Sequence, residues 1–169
     1  MRFVADQVIG GLAPEAYEGL YFDEPFNEAL CQALAMRRRL DQRDVDDAGI
    51  VRRVAIAPRR QIPRILRPLL GGRAIEYTEA VSYRWGSLAG SWRLEPAWMA
   101  DRVRGQGSFR FVADAAGTRR VVDGELSVQI AGVGRLAERL IVEEVERSYR
   151  RAAAFTTAYV ADHPAWQRP

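Results

Sequence analysis

In residues 140–160, LIVEEVERSYRRAAAFTTAYV, the apolar side chains Ile141, Val145, Ala152, Phe155 and Tyr159 recur at steps of three and four. At about 100° per residue, Glu144 and Ser148 project with that apolar set. The same logic, applied with a period of two, finds further polar residues among apolar neighbours. Leu34, Met36 and Leu40 share a parity with Arg38 and Gln42. Residues 50–56 put Arg52 on the inner side, and Ile75, Tyr77, Val81, Tyr83 and Trp85 share their side with Glu79. A charge in an apolar interior is costly unless it is paired. Pairing of Arg38 or Arg52 with Glu79 or Glu144 is therefore expected, as the polar end of an otherwise apolar pocket that could orient a ligand's carboxylate, hydroxyl or carbonyl. The competing reading puts these residues at an open mouth or a sheet edge, where they reach water. A bulge would turn any strand residue beyond it outward. Proton transfer needs only one positioned acid or base, and Glu79, Glu144 or Tyr77 could supply it. Tyr77, Trp92, Phe109 and Phe155 fall in the middle of their segments and are the aromatic candidates for a cavity wall. Arg147 and Arg151 flank the helical stripe and are expected in water.

The remaining composition removes other chemistries. The single cysteine, Cys31, allows no internal disulfide and no cysteine cluster for zinc. The single histidine, His163, lies just before a proline near the end of the sequence, a poor place for a Ser-His-Asp or Cys-His site. No metal site and no cofactor motif is readable. GVGR and GGR lack the strand–loop–helix setting of a phosphate cradle. All 25 basic residues are arginine, against 22 acids, for a net charge of +3. They are scattered and interleaved with acids rather than clustered, so no nucleic-acid partner is expected. No stretch approaches the roughly 20 apolar residues of a membrane span, so no integral membrane association is expected. No signal-peptide pattern opens the chain, and a cytoplasmic setting is the expectation.

The elements that would position these residues follow in order. Residues 2–9 read as a strand ended by Gly10 and Gly11. PEAYEGLY and DEPFNEALCQAL read as two short helices, the second capped by Asp23. Strands are predicted over 34–46 and, after a DDAG turn, over IVRRVAIAP. IPRILRPLLGG (62–72) reads as a short helix, with Pro58, Pro63 and Pro68 nearby; Ile62, Ile65, Leu66, Leu69 and Leu70 could make a small apolar lid or a homodimer contact. Strands are then predicted over 73–85, 86–96, 103–114 and 118–132. A long helix follows, beginning between Val133 and Leu136 and running to about Asp162. Gly105, Gly107 and Gly124 fall on inward strand positions, allowing bending or leaving room. Tight turns between successive half-apolar strands imply an antiparallel sheet, and only the last helix is long enough to cover it. One domain over 1–163, with a tail at 164–169, accounts for the length.

This order, above all the helix pair after the first strand and the long closing helix, resembles the START-like superfamily, also called the helix-grip or polyketide cyclase-like fold. Within it, IPRILRPLLGG, EYTEAVSYRWG and VGRLAERLIVEEVERSYRRAAAF are similar to an uncharacterised bacterial family of unknown function. The resemblance implies an α+β protein: a curved seven-stranded antiparallel sheet gripping the C-terminal helix across its concave face, with a cavity between them. It also implies a hydrophobic small molecule as partner, such as a lipid, a polyketide or an aromatic metabolite. Two alternatives stand beside a carrier: a cyclase- or dehydratase-type enzyme, and a structural or oligomerisation domain whose core is filled.

Overall fold

The computed structural model describes residues 1–59 and 72–167. The helix expected over 62–72, with its apolar lid or dimer contact, lies outside the described residues apart from Gly72. The elements are β1 (Arg2–Gly10), α1 (Pro14–Tyr21), α2 (Glu24–Ala33), β2 (Met36–Val45), β3 (Gly49–Pro58), β4 (Tyr77–Arg84), β5 (Ala89–Pro96), β6 (Val103–Asp114), β7 (Gly117–Val128) and α3 (Gly134–Asp162). The seven strands form one antiparallel sheet in the order β1-β7-β6-β5-β4-β3-β2. The strands predicted to start at 73 and 86 begin a few residues later, at Tyr77 and Ala89. The helix-grip fold is the one expected: α+β, two short helices after the first strand, and the long C-terminal helix against the sheet.

Local chemistry sets these elements. Pro14 opens α1, where its missing N–H costs nothing. Asp23 caps α2 by accepting the Phe26 N–H at 2.9 Å. The Asp46 carboxylate accepts the N–H groups of Ala48 and Gly49, each at 2.8 Å, and so closes the β2–β3 turn. The helix pair drives Tyr17, Leu20, Phe22 and Phe26 into the core. At Asp41 a bulge shifts the β2–β3 register between Leu40 and Gln42. Gln42 therefore turns outward, opposite Arg53, instead of sharing the inward side with Arg38 as the alternation predicted.

The closing helix is rotated from the expected stripe. Its buried residues are Gly134, Ala137, Val142, Ala152, Ala153, Thr156 and Val160. Ile141, Val145, Phe155 and Tyr159 flank that line and are half-buried. Small side chains face the sheet because they let the helix approach it closely; the larger ones pack at the sides. α3 lies against β1, β7 and α2. Near its C-terminal end the Thr157 hydroxyl accepts the Gly10 N–H at 3.0 Å, and near its N-terminal end the Glu138 carboxylate accepts the Val128 N–H at 2.9 Å. Beyond α3 a short turn, Pro164–Gln167, sets Trp166 against the core and beside Gly19.

Candidate functional site

The register lines the inward residues of the sheet into rows. One row runs Phe3, Gly124, Gly107, Trp92, Val81 and Arg52. The next holds Ala5, Val122, Phe109, Gly90 and Tyr83, and a third brings Gln7, Arg120 and Phe111 together. Glycine interrupts the first row for a reason visible in the packing. A Cβ on Gly107 would stand 2.9 Å from the Trp92 ring and 2.0 Å from the Asp123 carbonyl. On Gly124 it would stand 2.4 Å from the Phe3 ring and 2.8 Å from Trp92. These glycines do not leave empty room. They make a hollow that the Trp92 and Phe3 rings fill.

Over these rows, in the middle of α3, the sheet and helix do not close on apolar contacts. Tyr21, Glu79, Trp92, Phe109, Arg120, Val122 and Tyr149 surround a small cavity of about 10 Å³. That is about the space of one water molecule. Arg120 is buried, at 7% exposure, and its guanidinium lies 4.5 Å from the centre of the Tyr149 ring. Its Nη1 donates to the Tyr17 hydroxyl at 3.5 Å, while its Nε and Nη2 meet no acceptor among the described residues. Trp92 Nε1 is likewise buried without an acceptor. Arg52, at 4% exposure, packs over the Tyr21 and Phe22 rings and donates from Nη1 to the Tyr21 carbonyl at 3.4 Å; its Nε has no acceptor among the described residues. Glu79 forms no ion pair among the described residues. Burial, reinforced by the nearby Glu79 charge, raises the phenol pKa values of Tyr21 and Tyr77. Tyr149 is pushed up to about 12, chiefly by burial, with Arg120 working against the rise. All three phenols are therefore protonated donors at neutral pH.

Of the residues singled out in the sequence, Glu79, Trp92 and Phe109 line this cavity. Arg52 and Tyr77 sit beside it on the same face of the sheet, within electrostatic reach of Tyr21 and Glu79 respectively. The others fall elsewhere. Arg38 pairs with Glu24 of α2 at 2.6 Å, close but not aligned as a hydrogen bond. Glu144 is exposed and pairs with Arg147 one turn along its own helix at 2.6 Å. It stands two residues, or about 200°, from Val142, and so points away from the sheet. None of the expected pairs between Arg38 or Arg52 and Glu79 or Glu144 forms. Ser148 is half-buried beside Tyr149 and lines no part of the cavity. Phe155 packs against Phe26 of α2 and against Tyr159. Arg120, Tyr21 and Tyr149 were missed. Arg120 was readable, since it shares its parity with Val122, Leu126 and Val128. Tyr149 follows only once the small residues of α3 are placed on the sheet.

A second depression, of about 490 Å³, opens between the end of β7 and the start of α3. It is lined by residues 128–132 and 134–136. It gathers no buried polar side chain and carries no chemistry. Among the described residues, no group of three or more histidine, cysteine, aspartate or glutamate side chains is placed to hold a metal ion. No helix among them is long and apolar enough to cross a membrane.

Solved structures repeat this architecture at low identity. The TTHA0849 protein from Thermus thermophilus is 16% identical, with a TM-score of 0.69 over 96% of this chain and 98% of that one. The di-domain ARO/CYC StfQ from the steffimycin biosynthetic pathway is 10% identical, with a TM-score of 0.66; the match covers 97% of this chain and 52% of StfQ, so the chain spans about half of that protein. Ara h 8.0201 is 7% identical, with a TM-score of 0.61 over 94% of this chain and 98% of that one. At these identities the likeness is one of fold, the START-like helix grip. No curated protein matches the sequence. A family model described as a protein of unknown function (DUF2505) matches residues 12–160, from before α1 to near the end of α3, and this chain belongs to that family.

Proposed function

We propose that the protein binds a hydrophobic small molecule between the sheet and the middle of α3, as a carrier or sensor without chemistry of its own. The observation that carries this reading is the group of buried donors without acceptors, Arg120 Nε and Nη2 and Trp92 Nε1, set among the rings of Tyr21, Phe109 and Tyr149. A core built only for stability pairs such groups or omits them. The fold neighbour named as an ARO/CYC of the steffimycin pathway supports a polyketide-like or aromatic ligand over a lipid. The small void favours the rival reading of a filled structural core. Under the present proposal a ligand enters by displacing Tyr149, the one cavity side chain contributed by α3. An enzyme reading rests on Glu79, a carboxylate with no ion pair among the described residues, close to phenols that stay protonated, a base and an acid within one site.

Native mass spectrometry of gently purified protein, together with titration of the neutral fluorophore N-phenyl-1-naphthylamine, tests the proposal. A bound compound, or saturable fluorophore binding that is weakened by Phe109→Trp, is expected. No bound compound and no saturable binding would leave the filled core as the better reading. Conversion of a released compound by fresh protein, lost in Glu79→Gln, would favour the enzyme.

A further inference from the structure

The unmet donors of Arg120 are a particular pair. Nε–H and the outward N–H of Nη2 point the same way from one edge of the guanidinium. That edge is the fork that takes the two oxygens of a carboxylate in parallel. The third nitrogen, Nη1, is already directed to the Tyr17 hydroxyl, which fixes how the plane is turned. Trp92 Nε1 adds another donor without an acceptor on the same cavity. The charges agree with the geometry. Among the described residues, Arg52 and Arg120 are cations beside the cavity and Glu79 is the one carboxylate lining it, so these groups are one negative charge short of neutrality. Arg38 does not change this count, because Glu24 neutralises it. A buried unpaired cation is a costly feature to retain without a counter-ion.

Building on the reading that this interior binds a small molecule, we infer that the ligand is an aromatic or otherwise apolar carboxylate whose two oxygens occupy the Arg120 fork. Its apolar body takes the space that the Tyr149 ring now fills. Tyr149 packs on the guanidinium from α3, so turning that one side chain outward opens the cavity beside the fork while both ends of the helix stay anchored. Trp92 Nε1 donates to one of the carboxylate oxygens. Glu79, on the far side of the cavity from Arg120 in the strand order, accepts from a hydroxyl of the ligand or a water.

The test compares 2-naphthoate with 2-naphthylmethanol, two probes of nearly equal shape that differ in charge, by fluorescence titration at pH 7. Wild-type protein is expected to bind the carboxylate at least tenfold more tightly. Arg120→Met is expected to abolish that preference while still binding the alcohol. Arg120→Lys keeps the charge but not the fork, and Trp92→Phe keeps a ring but not the donor; each is expected to lower the preference several-fold, and they stand in if Arg120→Met does not fold. Equal affinity of wild type for the two probes overturns the inference while leaving the binding proposal intact. So does a preference that survives both arginine substitutions. Binding of neither probe nor N-phenyl-1-naphthylamine by wild type overturns both.

Discussion

The two ends of α3 and its middle are built differently. At the C-terminal end Ala152, Ala153, Thr156 and Val160 are buried, and Ala153 and Val160 join the main core with Leu20, Phe22 and Phe26. At the N-terminal end Ala137 and Val142 join a separate cluster with Leu126 and Val128. Between them, from residue 143 to 151, no α3 residue is fully buried, and Tyr149 is half-buried with its phenol turned inward. There Tyr149 meets Arg120 across the cavity. The ends are held by buried apolar side chains, while in the middle Tyr149 packs only half-buried against the core. A helix held at both ends can tolerate an imperfectly satisfied centre, and the unmatched donors have gathered in that centre. Substitutions at an end and in the middle should therefore differ in size and in sign.

The largest effect is expected at the C-terminal end. Phe26 is 2% exposed and packs edge-on to Tyr159, with Phe155 beside it. Phe26→Ala removes a large buried ring and should cost about 3–5 kcal/mol, read as a lower urea midpoint with unchanged slope. That is a large part of a typical stability of about 5–15 kcal/mol. A loss below about 1 kcal/mol would mean that this end is no better packed than the middle.

Alkaline pH should act on the middle, and also on Tyr83, whose phenol is raised by burial and by the Glu18 carboxylate to which it donates. The Tyr149 phenol is pushed up to about 12, and Tyr21 and Tyr77 are raised as well, burial being the first cause of each. In the unfolded chain a tyrosine loses its proton near 10. Between those values the unfolded state binds fewer protons than the folded one. The stability these phenols contribute is thus full below about pH 10 and is lost as the pH rises through their folded values. Urea midpoints measured from pH 8 upward, with phenolate absorbance followed in parallel, should fall as these phenols ionise together with unfolding. Ionisation at ordinary pH without loss of structure would show an open interior and erase the contrast between ends and middle.

Arg120→Met sharpens the comparison from the other side. A buried cation without a full set of partners contributes little stability, and an apolar side chain of similar length in its place is often neutral or stabilising by about 1–4 kcal/mol. The urea midpoint of Arg120→Met should therefore stay or rise. A loss of about 3–5 kcal/mol would identify Arg120 as one member of a satisfied buried pair instead.

The element order and the sheet were legible because period-two alternation and turn residues act locally, as at Asp23 and Asp46. The inward charges of the central strands were legible for the same reason: Arg52 and Glu79 keep the parity of their apolar neighbours. Gln42 was not, because the bulge at Asp41 shows only in the pairing of β2 with β3. The glycine hollow was half legible: Gly105, Gly107 and Gly124 could be placed inward, but which rings fill the space depends on Trp92 and Phe3 from other strands. The rotation of α3 was hidden more deeply. A stripe chosen by large apolar residues favours Ile141, Phe155 and Tyr159, whereas close approach to a sheet favours Ala152, Ala153 and Thr156. Choosing the wrong stripe turned Glu144 inward and left Tyr149 unnoticed.

Glu144 is where the smallest effect is expected, and it tests that rotation directly. Its carboxylate lies on the wet side of α3, paired with Arg147 three residues on, and both side chains are about half exposed. Ion pairs of this kind contribute about 0.2–1 kcal/mol and often nothing measurable. Glu144→Gln should therefore change the urea midpoint by no more than about 0.5 kcal/mol in free energy. It should leave the preference for 2-naphthoate over 2-naphthylmethanol as it is in wild type. Were Glu144 the inward residue, removing its charge would leave an arginine unpaired in the interior and cost several times more, or would shift the probe preference. A large loss of stability in Glu144→Gln, or a changed preference, would put the helix back on the stripe of Ile141, Val145 and Phe155. That rotation would turn Tyr149 away from Arg120 and open the cavity beside the fork.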